Sequence, residues 1–220
     1  MVASPGDIAP QRVLEATIER LGTRQGFKRH SYVYTPNQPA HALYLLLNGQ
    51  IGLQMLSSEG RTLTLKVVEP GQVFGHSVLA DANTYETYAQ ALQPVRVIAV
   101  PRATLLAASA TTPGLSLALI ESLGQQRQTL GRRIEEVAFK SVPARLASVL
   151  LEMSGDQPES PHPQQRVGRR THQQLAEMVN AYRETVTKII NQFRDAHLLD
   201  VDRSGITLLN PSRLRELAQS

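Results

Sequence analysis

Seven consecutive residues, Tyr182-Arg183-Glu184-Thr185-Val186-Thr187-Lys188, put two cationic donors and one carboxylate within two helical turns. Arg offers a planar fork of donors, Lys a point donor and Glu an acceptor. Val186, Ile189, Ile190 and Phe193 recur at helical spacing, so one face is apolar and Arg183, Glu184, Thr187 and Lys188 face outward. A polar face of this kind, near a helix N-terminus, can match the donors and acceptors that bases display in a DNA major groove.

An earlier helix must position it. Thr171 can cap that helix, with Gln174 three residues later closing a capping box, and Leu175, Met178 and Val179 form its apolar stripe. Asn180 falls where the chain must turn sharply, and Asn tolerates a left-handed conformation. Taken alone, the pair also reads as an ordinary buried helical hairpin with a solvated face. The residues C-terminal to the pair favour base reading. Asp200 to Leu209 alternates around Ser204-Gly205, which predicts a β-hairpin wing with Arg203 near its tip.

The segment 171–209 resembles the DNA-binding domain of the catabolite-activator/fumarate-nitrate-reductase (Crp/Fnr) regulators, and Arg-Glu-Thr-Val at 183–186 matches that family's recognition-helix motif. The likeness extends over roughly residues 27–210. It implies an α+β chain. Residues 1–112 would hold an N-terminal helix and a cyclic-nucleotide-binding-type β-roll (a jelly roll), residues 113–140 a dimerisation helix, and residues 141–220 a winged helix-turn-helix.

Composition sets the bounds. At 220 residues and 41% hydrophobic, the chain can bury one large core or two modest ones. It has no cysteine, which removes disulfides, thiol catalysis and a Cys-ligated iron–sulfur cluster. Residues 1–20 lack the basic start and apolar run of an export signal, and no run is long enough to span a bilayer, so a cytoplasmic location is expected. Net charge is only +4, and residues 141–220 carry ten Lys/Arg against nine Asp/Glu. Charge alone does not mark a nucleic-acid binder.

Residues 10–21 predict a short helix begun by Pro10 and ended by Gly22. From Phe27 to Val100, turn signals recur about every ten residues: Pro36-Asn37, Asn48-Gly49, Ser58-Glu-Gly60, Pro70-Gly71 and Asp81-Ala-Asn83. Between them lie the predicted strands 43–47, 51–56, 62–68 and 96–100, a sandwich or jelly-roll pattern. A short helix is expected over 101–110 and a long one from Pro113. On the long helix Ile120, Leu123, Arg127, Leu130, Ile134 and Val137 alternate by three and four, a seam about three heptads long. It suits either a dimer or packing on its own domain, and the resemblance implies the dimer. Ser141 can cap a further helix, and Pro143 disfavours a helical Val142. Residues 154–168 read as a polar connection.

By resemblance, Arg183 would contact guanine, Glu184 would accept from cytosine and Lys188 would reach a second guanine. Thr171, Gln173 and Thr185 would hold phosphate, and Arg203 could join them. Tyr182 replaces the small capping residue usual in the family. Operator DNA would be a two-fold-symmetric double-stranded site, and a homodimer and RNA polymerase are the other expected partners. The candidate effector pocket is Gly75, His76, Ser77, Tyr85, Glu86 and Arg127. The family holds cyclic AMP with Gly-Glu, Arg-Ser and Thr-Ser pairs. Here these become Gly75-His76, Tyr85-Glu86 and Leu130-Gly131, so cyclic AMP is not expected. Gln126 and Gly131 stand where 2-oxoglutarate-sensing relatives place an Arg and a Glu. His76 alone does not make a haem site, and haem is not expected. The effector stays open, a ligand-independent regulator included. No glycine-rich phosphate loop or metal-spaced cluster suggests an enzyme. The alternative class is a cyclic-nucleotide or other small-molecule sensor or adaptor whose helix-turn-helix serves protein contacts.

Overall fold

The computed structural model describes residues 9–80, 84–155 and 166–219. It forms two compact units, residues 1–55 with 65–130, and residues 56–64 with 131–220.

The first unit opens with α1 (Pro10–Leu21), where Pro10 occupies the first turn and loses no intrahelical bond. Its face of Leu14, Thr17 and Ile18 is buried, and α1 packs against β8 (Val95–Pro101) and β3 (Ala42–Asn48). The strands are β1 (Thr23–Phe27), β2 (Tyr32–Tyr34), β3, β4 (Ile51–Leu56), β5 (Thr62–Val68), β6 (Val73–Phe74), β7 (Tyr88–Ala91) and β8. They make two four-stranded sheets, ordered β1-β8-β3-β6 and β2-β7-β4-β5, which form the β-roll. Leu43–Leu46 and Val97–Val100 lie side by side and are almost wholly buried, which is why the apolar run in each is nearly continuous.

The four strands expected from turn spacing are all present, β3 and β8 each longer by one residue at either end. The shorter β1, β2, β6 and β7 carry no such signal. Strand β1 reads Thr-Arg-Gln-Gly-Phe, with four exposed residues of five, so no alternation marks it. The turn signal at Asp81-Ala-Asn83 lies outside the described residues.

Two helices come next, α2 (Arg102–Thr111) and α3 (Leu115–Phe139). The long helix begins two residues later than Pro113 suggests, because Gly114 takes a left-handed φ of 80° and turns the chain first. Leu115, Ala118 and Leu119 of α3 are buried in the first unit.

The second unit holds α4 (Val142–Met153), β9 (Arg166–Gly168), α5 (His172–Val179), α6 (Arg183–Asp195), β10 (Leu199–Asp202), β11 (Gly205–Leu208) and α7 (Pro211–Ala218). Ser141 caps α4, its hydroxyl accepting from the Ala144 N–H. Val142 is helical, against expectation. Pro143 falls in the first turn, where its missing N–H costs nothing, and this offsets the usual restriction on the preceding residue. One core joins Leu146, Leu150, Leu175, Val179, Val186, Ile190, Phe193, Leu199, Leu208 and Leu214. Most of the polar connection at 154–168 lies outside the described residues, but its end is the strand β9, which the sequence did not announce.

Candidate nucleic-acid interface and sensor cavity

The capping box of α5 is complete. Gln174 N–H donates to Thr171 Oγ1 at 3.1 Å, and Thr171 N–H donates to Gln174 Oε1 at 2.9 Å. Asn180 ends the helix with φ 50° and ψ 55°, the left-handed turn its amide side chain tolerates. Helix α6 then starts at Arg183. Tyr182 stands at its N-cap without a side-chain cap bond and lies 58% exposed, with the Arg61 guanidinium 5.5 Å from its ring centre. Burial of Val186, Ile189, Ile190 and Phe193 turns α6 so that Arg183, Glu184 and Lys188 are all exposed. Three residues capable of reading bases therefore share one open face.

A further contact fixes the two helices against each other. The Thr187 hydroxyl bonds its own helix at Arg183 O (2.9 Å) and lies 2.8 Å from His172 Nδ1. The contact joins two helices across a turn, so no sequence spacing announces it. Thr171 and Gln173 are exposed and Thr185 is half-buried.

The wing is a three-stranded antiparallel sheet, β10-β11-β9. Its turn is tied by Asp202, whose Oδ1 accepts from the N–H groups of Ser204 (2.7 Å) and Gly205 (2.9 Å). Arg166 of β9 pairs with Asp202 at 2.6 Å and also bonds Ser204. The Ser204 hydroxyl and backbone, more than Arg166, hold the Asp202 carboxyl down to about 2. Gly205 has φ 154°, and a Cβ there would meet Val167 O at 2.2 Å. Arg203 stands exposed at the tip.

Two arginines escaped the sequence reading. Arg145 of α4 is buried, and its Nε donates to Val179 O at 2.8 Å while Nη1 donates to Lys140 O at 2.8 Å and Val137 O at 3.4 Å. Burial, then the neighbouring Arg133 charge, pushes its pKa down. Arg133 of α3 bonds Met178 O, Thr64 O (3.1 Å) and the Glu136 carboxylate (2.9 Å). Together they serve carbonyls at the C-terminus of α5, next to the turn into α6. Single arginines inside amphipathic helices carry no motif. Only the fold shows which carbonyls they meet.

In the first unit a cavity of about 130 Å³ is bordered by α1, the β5–β6 region and α3. Of the six candidate pocket residues only His76 lines it. Tyr85 is buried in an aromatic cluster, stacked 3.7 Å from Tyr34, with its hydroxyl bonded to Ala42 O at 2.9 Å. Glu86 and Arg127 are exposed and Ser77 is half-buried. Gly75 takes φ 85° to begin the 3-10 turn His76–Leu79. His76 Nε2 lies 2.8 Å from Ser122 Oγ on α3. Burial first, then the Lys66 charge, holds His76 down to about 4.

Along α3, Ile120 and Ile134 are 65% and 70% exposed, and Leu117, Leu123 and Phe139 are open too. Leu130 and Val137 of the heptad seam are half-buried. Among the described residues no group of three His, Asp or Glu is placed to hold a metal, and no helix is long and apolar enough to cross a membrane.

Residues 24–112 match the cyclic nucleotide-binding domain family, and residues 144–217 match the Crp-like helix-turn-helix domain family. A solved Crp/Fnr-family transcriptional regulator from Thermus thermophilus is 30% identical, with 90% of this chain and 99% of that one covered and a TM-score of 0.72. The transcriptional regulator SdrP of the same organism is 32% identical over 200 residues, 88% of this chain and 93% of the relative. The chain belongs to the Crp/Fnr family. The relatives just named are transcriptional regulators. The global nitrogen regulator of a Synechocystis species is 26% identical over 95% of this Crp/Fnr chain and 97% of its own. The structure of FixK2 from Bradyrhizobium japonicum, 21% identical, shares the fold with a TM-score of 0.77 and covers 90% and 97% of the two chains.

Proposed function

We propose that this Crp/Fnr member is a homodimeric activator that binds an inverted-repeat operator through α6. One observation carries the reading: Arg183, Glu184 and Lys188 stand together on the open N-terminal half of a helix whose opposite face is locked in a core. Arg183 and Lys188 serve as donors to guanine and Glu184 as acceptor from cytosine. Lys188 lacks the rigid fork of an arginine, so its base is read less strictly. Thr171 accepts from Gln174 through Oγ1 and keeps its own O–H to donate to phosphate. Gln173, Thr185 and the wing's Arg203 join it there, orienting the module without specifying sequence.

The open residues Leu117, Ile120, Leu123, Ile134 and Phe139 of α3 support a dimer seam, because a stripe of this size is costly to leave in water. Half-sites then lie about 10 base pairs apart, one helical turn. RNA polymerase is the proposed protein partner, and the cytoplasm the place of action. The first unit is the sensor half. Cyclic AMP is not its ligand in this reading, since Tyr85 is committed to the aromatic core and Glu86 would repel a phosphate.

Binding-site selection tests the reading with the intact protein and with Arg183→Ala. The substitution should cost about 1–3 kcal/mol at one base pair per half-site and relax preference there. Unchanged preference at every position would refute the assignment. Ile120→Glu with Ile134→Glu should convert the dimer to protomers in sedimentation and abolish binding to the paired half-sites.

A further inference from the structure

The cavity in the sensor half is built as a polar site. Its walls carry Lys66, His76, Ser122, Gln126 and Gln11, with Glu121 the one carboxylate among the described residues. His76 is only 7% exposed, yet its Nδ1 has no hydrogen-bond partner. When the Ser122 hydroxyl donates to Nε2, the ring proton resides on Nδ1 and requires an acceptor. Gln126 lies close enough to favour the charged ring without completing a bond to Nδ1. Lys66 is half-buried on β5, and burial lowers its pKa. Buried cations and donors are costly without a counter-charge.

Size narrows the choice. The cavity measures about 130 Å³, near the roughly 150 Å³ that admits a benzene-sized guest. That is too small for a nucleotide and suits a ligand of about six non-hydrogen atoms.

We infer that this cavity binds a compact oxyanion, a short carboxylate or a phosphate, gripped by Lys66 and His76 Nδ1. The inference deepens the sensor reading above and rests on it. A bound anion favours the charged forms of Lys66 and His76, so its chemistry is visible at the ring itself.

The test monitors the His76 ring by NMR in the full-length protein, titrated separately with malonate, inorganic phosphate and the neutral isostere malonamide. Malonate, phosphate or both should raise the His76 pKa, and comparison of the two identifies the oxyanion class; malonamide should leave it unchanged. Lys66→Met keeps the packing stem and should weaken anion binding at least tenfold. Gln126→Glu puts a carboxylate on the wall and should do the same, which keeps the test decisive if one variant unfolds. The proposal is overturned if neither anion moves the ring, if malonamide binds as well as malonate, or if both variants bind as the parent does. A gel shift of the same samples on a two-fold-symmetric site without anion reads DNA binding separately, so failure of one reading does not mimic failure of the other.

Discussion

Replacing Arg145 by Met should loosen the whole second unit. The side chain donates to Val179 O and Lys140 O at 2.8 Å and more weakly to Val137 O. These carbonyls lie at the C-terminal ends of α5 and α3, where no intrahelical N–H remains to meet them. Hydrogen bonds from a charged donor contribute about 1.5–3 kcal/mol each, and orphaned buried carbonyls cost about 1–3 kcal/mol. Part of this is recovered, because Arg145 is itself poorly solvated and sits beside Arg133. The net loss is about 3 kcal/mol, or roughly 10–20 °C in the melting temperature of a unit this size. Arg145→Lys keeps the charge at the helix ends but only one donor group, so it should restore about half of the loss. Urea denaturation monitored by far-ultraviolet circular dichroism reads both. A loss under about 1 kcal/mol for Met, or a Lys variant equal to the parent, would refute the reasoning.

Three other perturbations test separate parts of the molecule. Thr171→Ala removes half of the capping box and should cost about 1 kcal/mol in the same denaturation assay. Gly205→Ala sets a Cβ 2.2 Å from Val167 O, so the β9–β11 pairing must open; faster hydrogen exchange at Ile206 and Thr207 should report it, with a loss of about 2 kcal/mol or more. His76 has a folded pKa of about 4 against an ordinary 6.5. The unfolded chain therefore binds the extra proton, and stability falls as pH drops from about 6.5 to 4, by roughly 3 kcal/mol in all. His76→Gln should remove that slope without removing the acid loss common to carboxylates.

The reading helices were legible because every signal that builds them is local. Thr171 and Gln174 are three residues apart, Asn180 falls at the turn, and the apolar stripe of α6 repeats within one helix. The long inner strands were legible for the same reason, since β3 and β8 are bounded by Gly and Pro and are apolar apart from Asn48 and Arg96. What escaped depends on distant partners. Strand β1 pairs with β8 about seventy residues later and shows exposed polar side chains, so its pattern is that of a loop. Strand β9 is three residues long and gains meaning only beside β11. The pocket suffered most. Aligning Tyr85 and Glu86 with family contacts gives a chemical role, but the stacking of Tyr85 on Tyr34 is a tertiary fact with no sequence period. Lys66, Ser122 and Gln126 meet His76 from separate elements, and no spacing announces them.

The missing cap on α6 shows how the chain separates reading from stability. Tyr182 supplies no side-chain oxygen to the first turn, so the orientation of α6 cannot depend on its own N-terminus. It depends instead on four buried apolar side chains, on the Thr187–His172 contact, and on the arginines that hold the end of α5. None of these groups needs to touch a base. Arg183, Glu184 and Lys188, in turn, bury nothing and support no core contact. Exposed positions of this kind change stability by no more than about 0.5 kcal/mol when substituted, whereas each good base pair contact is worth about 1–3 kcal/mol. The two sets of residues barely overlap. Operator preference can therefore drift through these three positions while the scaffold that aims them stays as it is.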